Sequence, residues 1–177
     1  ERERIFPDAI AFQMVSMLED VIDRGTGAGA RKYGVTGAVG GKTGSTNDYR
    51  DAWFVGFSSS VVAGVWVGFD QPERISEGGS GARVALPTWS DFMRGVARPR
   101  PAEPFAPPSD LHGEELCRVS YQRPVQGCPT YIEYFKEGDA VPVRLCTIHE
   151  GSFKQRAQRA VEGFFTAIGQ GLKGIFR

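Results

Sequence analysis

The stretch Ala38-Val39-Gly40-Gly41-Lys42-Thr43-Gly44-Ser45-Thr46-Asn47 decides how this chain is read. It reads as a strand that ends in Lys-Thr-Gly-Ser. Thr43 and Ser45 are two residues apart, so a strand presents both hydroxyls on one face. Gly44 between them has no side chain and lets another backbone come close. Lys42 adds a point charge. A cation, two hydroxyls and an open backbone edge suit an extended peptide that ends in a carboxylate.

Two phosphate-binding readings of the same region fail. A dinucleotide fingerprint needs a strand before its glycines and a helix after them. Gly25-Thr26-Gly27-Ala28-Gly29 follows a helical pattern and leads into a strand, the reverse order. A nucleotide P-loop needs a glycine five residues before Gly41, and Thr36 stands there, with Gly37 one place off. Nor does a helix follow whose N-terminus could hold phosphate.

Working outward, residues 8–23 carry Ile10, Met14, Val15, Leu18, Val21 and Ile22 at helical spacing, between a Pro7-Asp8 start and a Gly25 stop. Met14 and Met17 are predicted to pack in the core. After the polar turn at 47–51, Ala52–Phe57 reads as a buried strand, and Val61–Phe69 as another. Strands joined by short turns predict an antiparallel meander. Leu86–Val96 reads as a helix with Pro87 in its first turn and a buried stripe of Leu86, Trp89, Phe92, Met93 and Val96. Both helices are predicted to cover one face of the sheet. The fold class is α+β, an antiparallel sheet flanked by helices.

Residues 98–108 hold five prolines, an extended linker. The predicted organisation is a first domain over 1–97, a linker over 98–110 and a small β-rich appendage over 111–177. Within the appendage, 118–121, 131–135 and 141–145 read as strands. Residues 153–176 read as a basic amphipathic helix that could lie on an anionic membrane, on a partner or on its own domain.

The chain has 177 residues, with 21 basic and 21 acidic side chains, so it lacks the basic excess of a nucleic-acid footprint. No apolar run reaches membrane-spanning length. The chain begins without Met, in Glu-Arg-Glu-Arg, and shows no signal peptide. That start is expected of a piece of something longer. Three cysteines, an odd number, exclude full internal pairing.

Five blocks in order, over about eighty residues, resemble the C-terminal half of the transpeptidase domain of class A (bifunctional) penicillin-binding proteins. They are Val21–Gly27, Gly41–Asn47, Asp51–Phe57, Val65–Asp70, and Leu86–Trp89 with Phe92-Met93. The resemblance implies a peptidoglycan D,D-transpeptidase. In that family a serine of a Ser-x-x-Lys motif attacks a stem peptide ending in D-Ala-D-Ala, and β-lactams mimic the donor. It implies that Lys42 faces the groove and that Thr43, Gly44 and Ser45 bind the substrate carboxylate. It further implies that the Ser45 N–H is half of an oxyanion hole. A cell-envelope location, on the extracytoplasmic side of the inner membrane, follows by the same resemblance.

The pattern is incomplete here. No serine has a lysine three residues on, and Ser45-Thr46-Asn47 overlaps the Lys-Thr-Gly strand, so it is a chance match to the second motif. The nucleophile is expected in an upstream part of the same protein, and this chain alone is expected to be inactive. D,D-carboxypeptidases and β-lactamases share the Lys-Thr-Gly strand, but the Trp53-Phe54-Val55-Gly56 and Val65-Trp66-Val67-Gly68 blocks favour the class A synthases. A non-catalytic module that binds cell wall or protein is the alternative from another class.

No cofactor is implied for catalysis. Cys117, Cys128, Cys146 and His149 form a separate candidate. Cys146-Thr147-Ile148-His149 is a zinc half-site, although the Cys117–Cys128 spacing is longer than usual. A structural zinc and a disulfide (Cys117–Cys128 or Cys128–Cys146) both remain open. His112 reads as a loop residue rather than a ligand. Cys128-Pro129, Phe135-x-x-Gly138 and the final Cys-x-x-His also resemble an appendage found on some class A members.

Overall fold

The structure is a computed structural model that describes residues 3–97 and 102–149. It divides into two compact units, Glu1–Pro108 and Ser109–Arg177. The predicted amphipathic helix at 153–176 lies outside the described residues.

The first unit begins with helix α1, Asp8–Arg24, followed by the short helix α2, Gly29–Lys32. Strands β1 (Val39–Ser45), β2 (Asp51–Ser58) and β3 (Val62–Gly68) form an antiparallel sheet in the order β1-β2-β3. A π-type turn over Gly81–Ala85 leads into helix α3, Leu86–Ala97. This is the meander between two helices that the spacing of apolar residues predicts. Arg31 ties the segment before β1 down. Its guanidinium pairs with Asp23 at 2.6 Å and donates to the Val35 and Gly37 carbonyls.

The two helices do not share a face, contrary to expectation. Gly40 lies opposite Phe57, and Gly41 opposite Gly56, so Gly40 and Gly56 point to opposite faces of the sheet. A Cβ on Gly40 would meet Leu18 of α1 at 3.2 Å, and a Cβ on Gly56 would meet the Trp89 ring of α3 at 2.4 Å. The sheet is therefore sandwiched. Small residues at adjacent positions let a helix approach from each side, a choice that periodicity does not encode.

The core lies on the α3 side, around Phe54, Trp89, Leu86, Met93, Val39 and Ile22. Trp89 and Phe54 are fully buried, with ring centroids 4.7 Å apart, and the Trp89 indole N–H donates to the Ala63 carbonyl at 3.1 Å. Beta2 is not buried on both faces. Ala52, Phe54 and Gly56 point inward, while Trp53 and Val55 point outward. On the α1 face Trp53, half-exposed, stands across from Trp66, whose indole donates to Asp51 at 2.9 Å.

Met14 and Met17 are exposed by 50% and 53%, so they are not core residues. Alpha1 buries Ala9, Phe12 and Ile22 instead. The helix carries two apolar stripes, and only one meets the sheet. Likewise Phe92 and Val96 of α3 are exposed, and Ser90 takes an inner place, donating to the Leu86 carbonyl.

In the second unit β4 (Leu111–Cys117) pairs antiparallel with β5 (Thr130–Lys136). His112 stands on β4, across from Phe135, and not in a loop. Residues 118–121 form the turn after β4 rather than a strand. Only Leu145 of the expected 141–145 strand pairs, in a bridge to Arg123. Ladder bonds available to a hairpin end where the chain turns back on the cysteines.

Candidate functional site

Beta1 is an edge strand, so one side of its backbone faces no other strand of the sheet. The Thr46 N–H bonds to the Asp51 carbonyl at 3.0 Å, and this sets the phase of the ladder. In an antiparallel pair the bonded positions alternate. Gly44 and Lys42 therefore bond towards β2, while Ser45, Thr43 and Gly41 turn their N–H and C=O groups to the open edge. Thr43 and Ser45 share one face, as their opposite partners Phe54 and Ala52 show.

Each hydroxyl has a defined partner. Thr43 Oγ1 lies 2.9 Å from Thr26 Oγ1, in the loop after α1. Ser45 Oγ accepts the Gly81 N–H at 2.9 Å, which leaves its own proton to donate. Lys42 Nζ donates to the Thr43 carbonyl at 3.0 Å and makes no ion pair among the described residues. Its charge is thus held at the open edge without a neutralising carboxylate.

Thr26 and Gly81 were not singled out from sequence. Thr26 belongs to the Gly-Thr-Gly run, and Gly81 closes a Gly-rich loop, both signals of close backbone approach. At Gly81 the need is plain, since a Cβ would lie 2.1 Å from the Trp53 carbonyl oxygen. The turn after β1 is strained. Asp48 and Tyr49 have φ of 63° and 55°, left-handed values that non-glycine residues seldom adopt. Thr46 Oγ1 braces this turn by accepting the Asp51 N–H at 2.8 Å.

The second constellation closes in the other unit. Cys117 ends β4, Cys128 precedes β5, and Cys146 and His149 follow the Arg123–Leu145 bridge. The Cys146 N–H donates to the Arg123 carbonyl at 2.8 Å, and the Cys117 N–H to that of Gln122 at 2.9 Å. These bonds bring four donors together, all within 4.8 Å of one another. His149 Nδ1 lies 3.5, 3.3 and 3.1 Å from the sulfurs of Cys117, Cys128 and Cys146. No two cysteines are joined, and Cys117 and Cys146 are buried.

Burial pushes the Cys146 thiol up, but hydrogen bonds from Ser120 and from His149 outweigh it and hold it at about 6. Burial pushes Cys128 up to about 11. The contact with Cys146 raises the His149 imidazole above its ordinary value.

Three comparisons place these features among known proteins. No protein-family model matches the chain. Penicillin-binding protein 1A of Pseudomonas aeruginosa is 41% identical over 141 residues, covering 79% of this chain and 17% of that protein. Penicillin-binding protein 1A of Aquifex aeolicus is 45% identical over 113 residues, 63% of this chain and 15% of that protein. The chain therefore spans 17% or less of these relatives' length. The crystal structure of penicillin-binding protein 1A from Haemophilus influenzae superimposes with a TM-score of 0.70 at 26% identity, covering 81% of this chain and 22% of that one. By sequence likeness over most of its length and by shared architecture, the chain belongs to the class A penicillin-binding protein family.

Proposed function

We propose that this chain forms one wall of the donor groove of a peptidoglycan D,D-transpeptidase, in the cell envelope. The observation that carries the reading is the edge of β1. The Thr43 and Ser45 hydroxyls share a face, the Ser45 N–H turns to the open edge, and the Lys42 cation lies beside them. A stem peptide ending in D-Ala-D-Ala would add as a strand along that edge. The Thr43 and Ser45 hydroxyls would receive its carboxylate, with Gly44 giving clearance. The Ser45 N–H would donate to the oxyanion that forms at the attacked carbonyl. Lys42 would supply positive potential in the groove. β-Lactams would dock by the same contacts.

The nucleophilic serine would come from the rest of the same protein. Two apolar surfaces support that division. One is the Ile10, Met14 and Met17 stripe of α1, and the other is the exposed group Trp53, Val55 and Trp66 on the sheet. A larger protein would cover them. Among the described residues no helix is long and apolar enough to cross a membrane.

The test is acylation by a fluorescent penicillin. The whole protein is expected to label, with the rate reduced in Lys42→Met and Thr43→Val variants that fold normally. The isolated chain is expected to stay unlabelled. Labelling of the isolated chain, or unchanged rates in both variants, would overturn the reading.

A further inference from the structure

We propose that Cys117, Cys128, Cys146 and His149 bind one zinc ion, which holds the second unit together. A tetrahedral ion with metal–sulfur distances of about 2.3 Å and metal–nitrogen of about 2.0–2.1 Å needs its donors roughly 3.4–3.8 Å apart. The sulfurs of Cys117 and Cys146 are 3.6 Å apart, and the three sulfur–nitrogen separations run from 3.1 to 3.5 Å. All four donor atoms lie within 4.8 Å of one another, close enough for one ion to reach every one of them after small side-chain shifts.

A disulfide would use two of the sulfurs and leave a thiol and an imidazole crowded against it. Instead all three sulfurs converge on the same ring nitrogen. Three soft thiolates and an imidazole select zinc over the hard cations calcium and magnesium. Four protein donors leave no open position, which marks a structural ion and not a catalytic one.

The surroundings fit a ligand set. The Val119 N–H points to Cys117 Sγ at 3.5 Å, and the Val125 N–H to Cys128 Sγ at 3.3 Å. Such outer-shell donors spread the charge of bound thiolates. The unit also needs a staple. Its buried apolar residues among those described are Leu111, Leu116, Cys117 and Cys146, two of which are ligands. A two-stranded hairpin with so small a core is marginal in water. Tying the end of β4, the start of β5 and the segment after the Arg123–Leu145 bridge to one ion supplies the missing constraint.

The test begins with the whole 177-residue chain purified under reducing conditions. Elemental analysis is expected to find one zinc per chain, and X-ray absorption a shell of three sulfurs and one nitrogen. After denaturation with chelator, thiol titration is expected to count three free thiols. Cys146→Ser and His149→Ala are expected to lose the zinc or hold it more weakly against a competing chelator. Because misfolding of either variant would also release metal, cobalt exchange into the unaltered chain is the second arm. It is expected to give the thiolate-to-metal charge-transfer bands and intense visible bands of a tetrahedral site. The proposal is overturned by a metal-free chain with one thiol and two fewer hydrogens in its mass. It is equally overturned by zinc coordinated only by oxygen and nitrogen, or by full zinc retention in both variants.

Discussion

The edge of β1 and the Cys/His cluster are built on opposite plans. The first is an open half-site. It presents backbone groups, two hydroxyls and a lysine that makes no ion pair among the described residues, along an unpaired strand, and in the proposed reading each acts only when another surface faces it. The second is closed, with four side chains already facing one another within 4.8 Å. The difference teaches where function and stability reside. An open site borrows its rigidity from the core behind it, here Phe54 and Trp89. In the proposed reading, a closed donor set supplies rigidity to a unit whose described residues bury little apolar core.

Removing metal should sharpen this contrast most. Structural zinc in small modules is worth about 10–16 kcal/mol in apparent binding free energy. Chelation should therefore collapse the amide signals of residues 109–149 to unfolded positions while those of 3–97 keep their dispersion. Loss of dispersion in both units together would break the comparison. Next in size, Trp89→Ala should cost about 3–5 kcal/mol in denaturant unfolding of the first unit, and leave the metal content unchanged.

Lys42→Met tests the open site without touching the core. In the whole protein it should slow penicillin acylation on the order of 10²–10³-fold, with little change in melting temperature. Gly81→Ala should bridge the two kinds of effect. Its Cβ would strike the Trp53 carbonyl, costing about 1–3 kcal/mol and shifting the N–H that Ser45 accepts.

The smallest effect concerns Glu19. Burial raises its carboxyl above the ordinary value of 4.5, with Asp23 adding to the shift. The fold therefore prefers the protonated form, a preference present below pH 4.5 and lost as pH rises through the raised value. Glu19→Gln should stabilise the chain at neutral pH, by up to about 0.5 kcal/mol, and the gain should close in acid. A gain that grows in acid would show that the charge is compensated.

The meander was legible because β-branched and aromatic runs alternate with short polar turns, and both flanking helices announce themselves by apolar spacing. Which stripe of α1 meets the sheet was not legible. Ile10, Met14 and Met17 form as good an apolar row as Phe12 and Ile22, and period alone does not rank them. The appendage was read less well, since Arg118–Tyr121 looks like a strand until the bonds around Cys117 make it a turn.

From the order of its residues alone, the chain determined that a lysine and two hydroxyls stand at one strand end, because a strand's side-chain period is strictly two. It also determined that three thiols and an imidazole lie beyond the prolines. Tertiary structure decided the rest. Only pairing with β2 turns the Ser45 N–H outward, and only the packing of Gly40 and Gly56 sets one helix on each face. Only the meeting of three distant chain segments brings four donors within 4.8 Å of one another. Those outcomes depend on contacts between residues far apart in sequence, which no local pattern records.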